Sequence, residues 1–171
     1  MLILNKEFEY RSNFDTLIAL GYNHVCIDMN EIKCFGDNEY GQLNHPSSST
    51  NIISLKSYSN HTCTIDLLPI LEIKCWGQNA DGQIPMESDS YRFIVTGEKH
   101  TCAMKGSYYT KCWGSGEFNV NQIPHWMTSY VSQIFMGGQF SCIVRGGILK
   151  CLGKNSNRLN QIPDDLEKNV R

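Results

Sequence analysis

The sequence lacks the features that mark several large protein classes. It has no run of about 18 apolar residues, the length that a membrane-spanning helix needs, and no long window has helical periodicity. Lys and Arg number 15 against 17 Asp and Glu, for a formal net charge of −2. Since no basic cluster occurs, we expect no nucleic-acid partner, and the lack of a long apolar run predicts no membrane insertion. Motifs of hydrolases, zinc proteases and P-loop enzymes are absent, so the sequence predicts no enzyme, no catalytic residues and no cofactor.

The cysteine content indicates an oxidising compartment. Eight cysteines occur in 171 residues, and an even number in a loop-rich chain is typical of disulfide-bonded proteins. The first ten residues, MLILNKEFEY, begin with only four apolar residues, which is too short for the core of a signal peptide. We expect an extracellular or cell-surface protein, although no signal peptide is visible in this sequence.

Four segments repeat one pattern around a pair of cysteines. They read NHVCIDMNEIKCFG, NHTCTIDLLPILEIKCWG, KHTCAMKGSYYTKCWG and QFSCIVRGGILKCLG. Equivalent positions recur at intervals of roughly 40 residues, a period typical of repeat architectures. An apolar residue and a glycine follow each second cysteine, and a turn with a glutamine closes each repeat. These repeat-turn residues are Gly36, Gly77, Gly114, Gly153, Gln42, Gln83, Gln122 and Gln161.

The repeats predict an all-β propeller. Each unit has three β-leaning runs separated by turn residues, and a short fourth run near the glutamine turn, which together predict one four-stranded blade of about 40 residues. Four blades are visible, and they form a closed small ring, a partial propeller or half of an assembly. The predicted single repeat domain spans 14–163, with blades at 14–44, 51–85, 91–124 and 130–163, between an N-terminal segment 1–13 and a C-terminal tail 164–171. Residues Gly41, Gly82, Asn121 and Asn160, each just before the glutamine, predict a positive backbone φ.

The two cysteines of each repeat lie almost symmetrically about the predicted hairpin turn. Residues that face each other across an antiparallel pair have Cα atoms about 4.5 Å apart, which a disulfide can span. The predicted pairs are therefore Cys26–Cys34, Cys63–Cys75, Cys102–Cys112 and Cys142–Cys151. The alternative is that these cysteines are small reduced core residues.

Three histidines precede the first cysteines of their repeats by two residues. His24, His61 and His100 therefore share a strand face with a cysteine, which raises the possibility of a zinc site. A structural zinc site needs four ligands, each repeat offers three, and repeat four has Phe140 in the histidine position. We predict no metal site and interpret these histidines as side chains that bond to the local turn.

The residues between the second cysteine and its glycine are Phe35, Trp76, Trp113 and Leu152. Equivalent positions of a repeat usually bury the contact between neighbouring units, so we predict that these four pack in the seams between blades. An exposed aromatic binding rim is the alternative.

The string G-x-x-H-x-C…C-W-G-x-N-x-x-G-Q, seen here in parts as HTCTIDLLPILEIKCWGQNADGQIP and HTCAMKGSYYTKCWG, resembles the repeats of the regulator of chromosome condensation superfamily. The cysteines make it similar to the extracellular branch of that superfamily, the ectodomains of crinkly-type plant receptor kinases and secreted bacterial proteins. The resemblance covers about residues 14–163 and implies a propeller, usually of seven blades, that serves as a binding surface.

Three functions remain open at this point. The first is a non-catalytic repeat module for protein binding or structural display, whose partner is a protein of unknown identity or a second propeller segment. The second, by analogy with the family, is a guanine-nucleotide exchange factor for a small GTPase. The third is an enzyme with a site built from loops, which a propeller can carry without a sequence motif. We also expect the array to close on itself or to pair with another segment, because an open arc exposes strand-bearing faces.

Overall fold

The computed structural model describes residues 16–46, 51–67, 71–86, 89–106, 109–117, 123–124 and 127–154. These residues form twelve β-strands in chain order and contain no helix that is long and apolar enough to span a membrane. The strands are β1 Leu17–Leu20, β2 His24–Asp28, β3 Ile32–Gly36, β4 Ile52–Tyr58, β5 His61–Asp66, β6 Glu72–Gly77, β7 Phe93–Thr96, β8 His100–Lys105, β9 Tyr109–Gly114, β10 Val131–Met136, β11 Phe140–Arg145 and β12 Ile148–Gly153.

Each repeat forms one three-stranded antiparallel sheet. The strand orders are β1-β2-β3, β4-β5-β6, β7-β8-β9 and β10-β11-β12, so every neighbour in a sheet is also a neighbour in sequence. The all-β fold is as predicted, whereas the predicted fourth strand is wrong for the first two repeats. In the other two repeats the equivalent segments lie largely outside the described residues. The exact domain and blade boundaries stay a prediction.

The fourth strand is missing because side chains take up the backbone donors of the glutamine turn. Asn38 Oδ1 accepts a hydrogen bond from the amide of Leu43 at 2.9 Å, and Asn79 Oδ1 accepts one from the amide of Ile84 at 2.9 Å. The chain therefore closes into a compact turn, since a backbone whose donors bond to side chains has little need of a strand partner. Gly41 and Gly82 have φ of 77° and 73°, the positive values that the sequence predicts. The corresponding calls at Asn121, Gln122, Asn160 and Gln161 lie outside the described residues.

The four disulfides lie within single sheets. Each joins residues that face each other across the second and third strands, with Cα atoms 4.0 to 4.1 Å apart. The bonded pairs are Cys26–Cys34, Cys63–Cys75, Cys102–Cys112 and Cys142–Cys151. Symmetry about the hairpin turn thus identifies the same pairs that the structure contains.

The glycine after each aromatic position ends the third strand with a positive φ. The values are 116° at Gly36, 96° at Gly77, 109° at Gly114 and 131° at Gly153. A Cβ added to Gly36 would lie 2.3 Å from the carbonyl oxygen of Asn23. Glycine is therefore required both by conformation and by the close approach of two backbones.

Apolar side chains pack between successive sheets in three seams, which we number in chain order. The first seam contains residues of repeats one and two, the second residues of repeats two and three, and the third mostly residues of repeats three and four. Buried members of the first seam are Ala19, Cys26, Ile32, Ile52, Leu55 and Trp76. The core is thus divided among the contacts between repeats, as in other repeat proteins.

The four predicted seam residues occupy different environments. Trp76 is 5% exposed in the first seam, and its Nε1 donates to the backbone oxygen of Gln42 in the preceding repeat at 2.9 Å. Trp113 is half-buried against the second seam, where its ring meets Tyr91 edge-on at 5.6 Å. Leu152 is half-buried.

Phe35 is 55% exposed, so the prediction that it packs in a seam is wrong. The contacts of Trp76 explain why Phe35 is exposed. The residue at this repeat position packs against the glutamine turn of the preceding repeat. No earlier repeat occurs among the described residues to supply that turn to Phe35.

The four described sheets do not close into a ring, so the closed form of the predicted propeller is wrong for this chain. Phe35 on the first sheet and Phe135 on the fourth, which is 54% exposed, both remain accessible.

Truncation at this repeated position should therefore have an effect that depends on the repeat. We expect Trp76→Ala to lower the free energy of unfolding by about 3–5 kcal/mol, since it removes a buried aromatic ring and an indole hydrogen bond. Phe35→Ala is the matched control and should cost less than about 1 kcal/mol, as exposed positions do. Urea unfolding of the oxidised protein measures both, and equal losses would contradict the seam assignment of Trp76.

Candidate functional site

Buried histidines connect the four sheets through hydrogen bonds. His24 Nε2 lies 2.8 Å from Thr62 Oγ1, His61 Nε2 lies 2.9 Å from Thr101 Oγ1, and His100 Nε2 lies 3.0 Å from Ser141 Oγ. Each bond runs from the first residue of a second strand to the second residue of the next sheet's second strand. We call these six residues the histidine ladder.

The ladder replaces the local turn bond that the sequence suggested for these histidines. In repeats one and three a glycine before the turn makes room for the ring, since a Cβ on Gly21 would lie 2.1 Å from His24 Cε1 and one on Gly97 would lie 2.3 Å from His100 Cε1. The sequence shows both the glycine and the histidine in repeats one and three, and the histidine with Tyr58 in the glycine position in repeat two. It does not show that the partner hydroxyl lies about one repeat further along the chain.

The hydrogen bonds around His24 indicate its tautomer. Ser57 Oγ donates to the backbone oxygen of His61 at 2.9 Å, and Thr62 Oγ1 donates to Ser57 Oγ at 3.0 Å. Both hydroxyl protons are thereby used, while His24 Nε2 lies 3.0 Å from Ser57 Oγ and 2.8 Å from Thr62 Oγ1. The imidazole proton is therefore on Nε2, which donates to the two hydroxyl oxygens.

Burial keeps the ladder histidines neutral. It lowers the pKa of His61 to about 4, with further lowering from the neighbouring His100 and His24, and lowers the pKa of His100 to about 4. Burial also lowers the pKa of His24, against an opposing effect of the negative charge on Asp37. Neutral imidazoles bonded to hydroxyls hold the sheets together and leave Nε2 unavailable as a ligand or base.

The ladder has an apolar residue at each end. Val25 occupies the position of Thr62 and Thr101 in the first repeat, and Phe140 occupies the histidine position in the fourth. The ring of Phe140 packs over Gly137, where an added Cβ would lie 2.3 Å from Cε1, much as His24 packs over Gly21. The first and fourth sheets therefore each present an apolar side chain where the inner sheets form a polar bond.

The turns before the histidines bring together a second group of side chains, Tyr22, Tyr58 and Glu98, which we call the turn rim. Tyr22 and Tyr58 lie with ring centroids 5.6 Å apart, and a Cβ on Gly138 would lie 3.3 Å from Glu98 Oε2 and 3.4 Å from the Tyr58 hydroxyl. Backbone bonds tie these turns together, from the amide of Tyr22 to Ser59 O at 2.9 Å and from the amide of Glu98 to Gly138 O at 3.0 Å.

The turn rim combines an exposed aromatic surface with a carboxylate. Tyr22 is mostly exposed, and its pKa is raised by partial burial, by the negative charge of Glu98 and by Tyr58. Sequence reasoning missed this group. Its signal is that Tyr22 and Glu98 each follow a turn glycine, whereas Tyr58 takes the place of that glycine in repeat two.

No metal site is formed by the described histidine, cysteine and acidic side chains, which nowhere gather in a group of three around a common point. The cysteines are joined in disulfides and the ladder imidazoles bond to hydroxyls. Their bonds hold strands and neighbouring sheets together.

Removing a ladder hydroxyl should destabilise the array. Thr101→Val leaves His61 Nε2 buried without a partner, which should cost about 1–3 kcal/mol of unfolding free energy. Thr110→Val is the matched control, because Thr110 is equally buried and its Oγ1 forms no hydrogen bond. Urea unfolding at neutral pH should therefore show a loss for the first variant and little change for the second. A similar loss in both would mean that the ladder bond contributes nothing.

The ladder should also make stability fall in mild acid. In the unfolded chain a histidine titrates near pH 6.5, whereas His61 and His100 in the folded protein titrate at about 4. Between these values the unfolded state binds more protons, so unfolding becomes more favourable as pH falls. The loss from pH 7 to pH 4 should be on the order of 3 kcal/mol per histidine at most.

Urea midpoints at several pH values measure this dependence. His100→Phe, which copies the residue of repeat four, should flatten the decline between pH 6.5 and 5, because one proton-linked group is gone. A variant with the same decline as the original protein would assign the pH dependence to other groups.

Comparison with known proteins agrees with this geometry. No protein-family model matches the sequence, and no curated protein is similar enough to count as a match. Among solved structures, the CRINKLY ectodomain of an Arabidopsis thaliana receptor kinase matches with a TM-score of 0.62 and 21% identity, over 80% of this chain and 49% of that one. The ectodomain of a Physcomitrella patens receptor kinase matches with a TM-score of 0.60 and 21% identity, over 82% of this chain and 42% of that one.

A third match is yeast RCC1 (Prp20), solved in complex with Kap60. Its TM-score is 0.71 at 14% identity, over 90% of this chain and 46% of that chain. The chain therefore spans about half the length of the structures that it matches. With four disulfides and neighbours of both the crinkly and the RCC1 type, the chain has the repeat fold of the regulator of chromosome condensation propellers, in its cysteine-bearing form.

Proposed function

We propose that the chain is a non-catalytic repeat module that presents a protein-binding surface in an extracellular or cell-surface setting. The observation that carries the proposal is that its cysteines and ladder histidines are used to hold the structure together. All eight cysteines are joined in disulfides, and the ladder histidines form hydrogen bonds between sheets. The residues most often used in catalysis thus stabilise a rigid array, on which the turn rim remains accessible.

The disulfides and the comparisons support the location. Disulfides persist in oxidising compartments, and four of them in a chain of this size fit a protein outside the cytosol. Two of the similar structures are ectodomains of plant receptor kinases.

Protein binding is also described for one of the similar proteins, yeast RCC1. Yeast RCC1 is described in complex with Kap60, and in its binding to Gsp1p and histones. Since these matches are only 14% and 17% identical to this chain, they support a binding role and identify no partner.

The turn rim is the surface that we assign to binding. Two adjacent tyrosine rings supply apolar area with hydroxyl groups at the edge, a combination enriched in protein interfaces. Glu98 adds a negative charge beside them, so we expect the partner to present a Lys or Arg side chain at this point.

The rim predicts a defined mutational pattern. An array of recombinant extracellular domains, probed with the labelled oxidised chain, should give binding that falls at least about tenfold in the double variant Tyr22→Ser, Tyr58→Ser. Met86→Ser, at an exposed position just after the glutamine turn of repeat two, is the control and should bind normally. Binding that is unaffected by the rim variant, or no binding at all, would contradict the assignment.

Nucleotide exchange is the alternative that needs a direct assay. If the chain accelerates release of a fluorescent guanine nucleotide from a small GTPase, the exchange-factor hypothesis replaces the binding module. We expect no acceleration, since the chain spans less than half of the yeast RCC1 structures that it resembles.

Thiol titration tests the oxidising location. The denatured, unreduced protein should contain no free thiols, and eight free thiols would refute that location.

A further inference from the structure

The first sheet exposes a largely apolar surface, which we call the leading face. Strand register places Ile18 opposite Ile27, Leu20 opposite Val25, and Val25 opposite Phe35, so these five side chains share one side of the sheet. Lys33, opposite Ile27, lies on the same side at the third strand. Ile18, Leu20 and Phe35 are 58%, 65% and 55% exposed. A surface of this kind rarely stays uncovered on a soluble protein.

The fourth sheet exposes a second apolar surface, which we call the trailing face. Phe135 is opposite Cys142, and Phe140 lies two residues from Cys142 on the same strand, so all three point to one side. The first cysteine of each earlier repeat is fully buried at 0% exposure, whereas Cys142 is partly accessible. The difference shows what a following sheet covers in the other three repeats.

The seams inside the chain show how these two faces fit together. In the first seam, the side of sheet one that carries His24 and Cys26 packs against the side of sheet two that carries Thr62 and Trp76. Phe140 and Cys142 of the trailing face occupy the positions of His24 and Cys26. Val25 and Phe35 of the leading face occupy the positions of Thr62 and Trp76. A trailing face is therefore complementary in position to a leading face.

The residues at the ladder positions match as well. At each inner seam a histidine meets a hydroxyl, and a mixed pair would leave a buried polar group without a partner, at a cost of about 1–3 kcal/mol. The trailing face has Phe140 in place of histidine, and the leading face has Val25 in place of the hydroxyl. Both departures from the repeat pattern fit one seam in which Phe140 meets Val25.

We propose that a second copy of this chain docks head to tail, with the trailing face of one copy on the leading face of the other. The two faces are both exposed, do not meet each other among the described residues and match each other in position, so a second copy can supply the missing side of each. The solved propellers of this fold are about twice as long as this chain, so two copies supply about the material of one complete propeller. A head-to-tail contact that forms twice closes a ring of two copies.

Sedimentation equilibrium of the full oxidised chain tests the proposal. We expect a dimer whose dissociation constant rises at least about tenfold in Leu20→Lys and in Phe135→Lys, because each puts a charge into an apolar contact. Met86→Lys, at a position 92% exposed and off both faces, should leave the dimer unchanged. Circular dichroism establishes that each variant is folded.

Mixing the two variants distinguishes head-to-tail docking from a symmetric contact. Leu20→Lys retains an intact trailing face and Phe135→Lys retains an intact leading face. A mixture should therefore dimerise more tightly than either variant alone, because the mixed dimer keeps one intact contact. A symmetric contact between two leading faces or two trailing faces would not be regained in this way.

The ladder offers an independent test. Phe140→His alone should weaken the dimer, because it buries an imidazole against Val25. The double variant Val25→Thr, Phe140→His should restore the dimer through a new histidine–hydroxyl bond, and its dissociation constant should rise in mild acid, unlike that of the original protein. A single variant that dimerises as well as the original would overturn the proposed Phe140–Val25 contact.

A monomer across the measurable concentration range would overturn the proposal and would assign the cover of these faces to residues 1–13 or 164–171 of the same chain. A dimer that survives both Leu20→Lys and Phe135→Lys would also overturn it, since the contact would then lie elsewhere.

Discussion

The hydrogen bond between a buried imidazole and the hydroxyl of the next sheet is the constraint on which the rest of the array depends. Three short strands cannot bury an apolar face by themselves, so each sheet needs its neighbour. Apolar packing alone is tolerant of sliding, whereas the bond from His61 Nε2 to Thr101 Oγ1 fixes one sheet against the next. In repeats one and three, the glycine before the turn leaves the space that the imidazole needs.

Much of the fold could be predicted because it is encoded locally. The disulfide pairs, the positive φ at Gly41 and the hairpins depend on residues within about one repeat, where symmetry and turn chemistry act directly. The histidine partners could not be predicted, since Thr62 lies 38 residues from His24 and no pattern around His24 points to it. The exposed state of Phe35 was missed for the same reason, as it depends on whether another repeat lies beside it.

The fourth strand shows a different limit. A β-leaning run near the glutamine turn suggested pairing, yet Asn38 and Gln42 satisfy the backbone there with their side chains. Propensity describes the chain in isolation, and competition from side-chain acceptors decides the outcome. The turn rim was missed because Tyr22, Tyr58 and Glu98 come from three repeats and are brought together only when the seams form.

The disulfides close loops of only 8 to 12 residues, and none crosses a seam. The covalent unit is therefore the same as the repeating unit. A gene duplication that adds one repeat brings a complete set of cysteines with it, and a deletion removes one without leaving an odd thiol elsewhere. Oxidative folding of such a chain does not need to choose among distant partners, so the number of repeats can change during evolution without a new disulfide pattern.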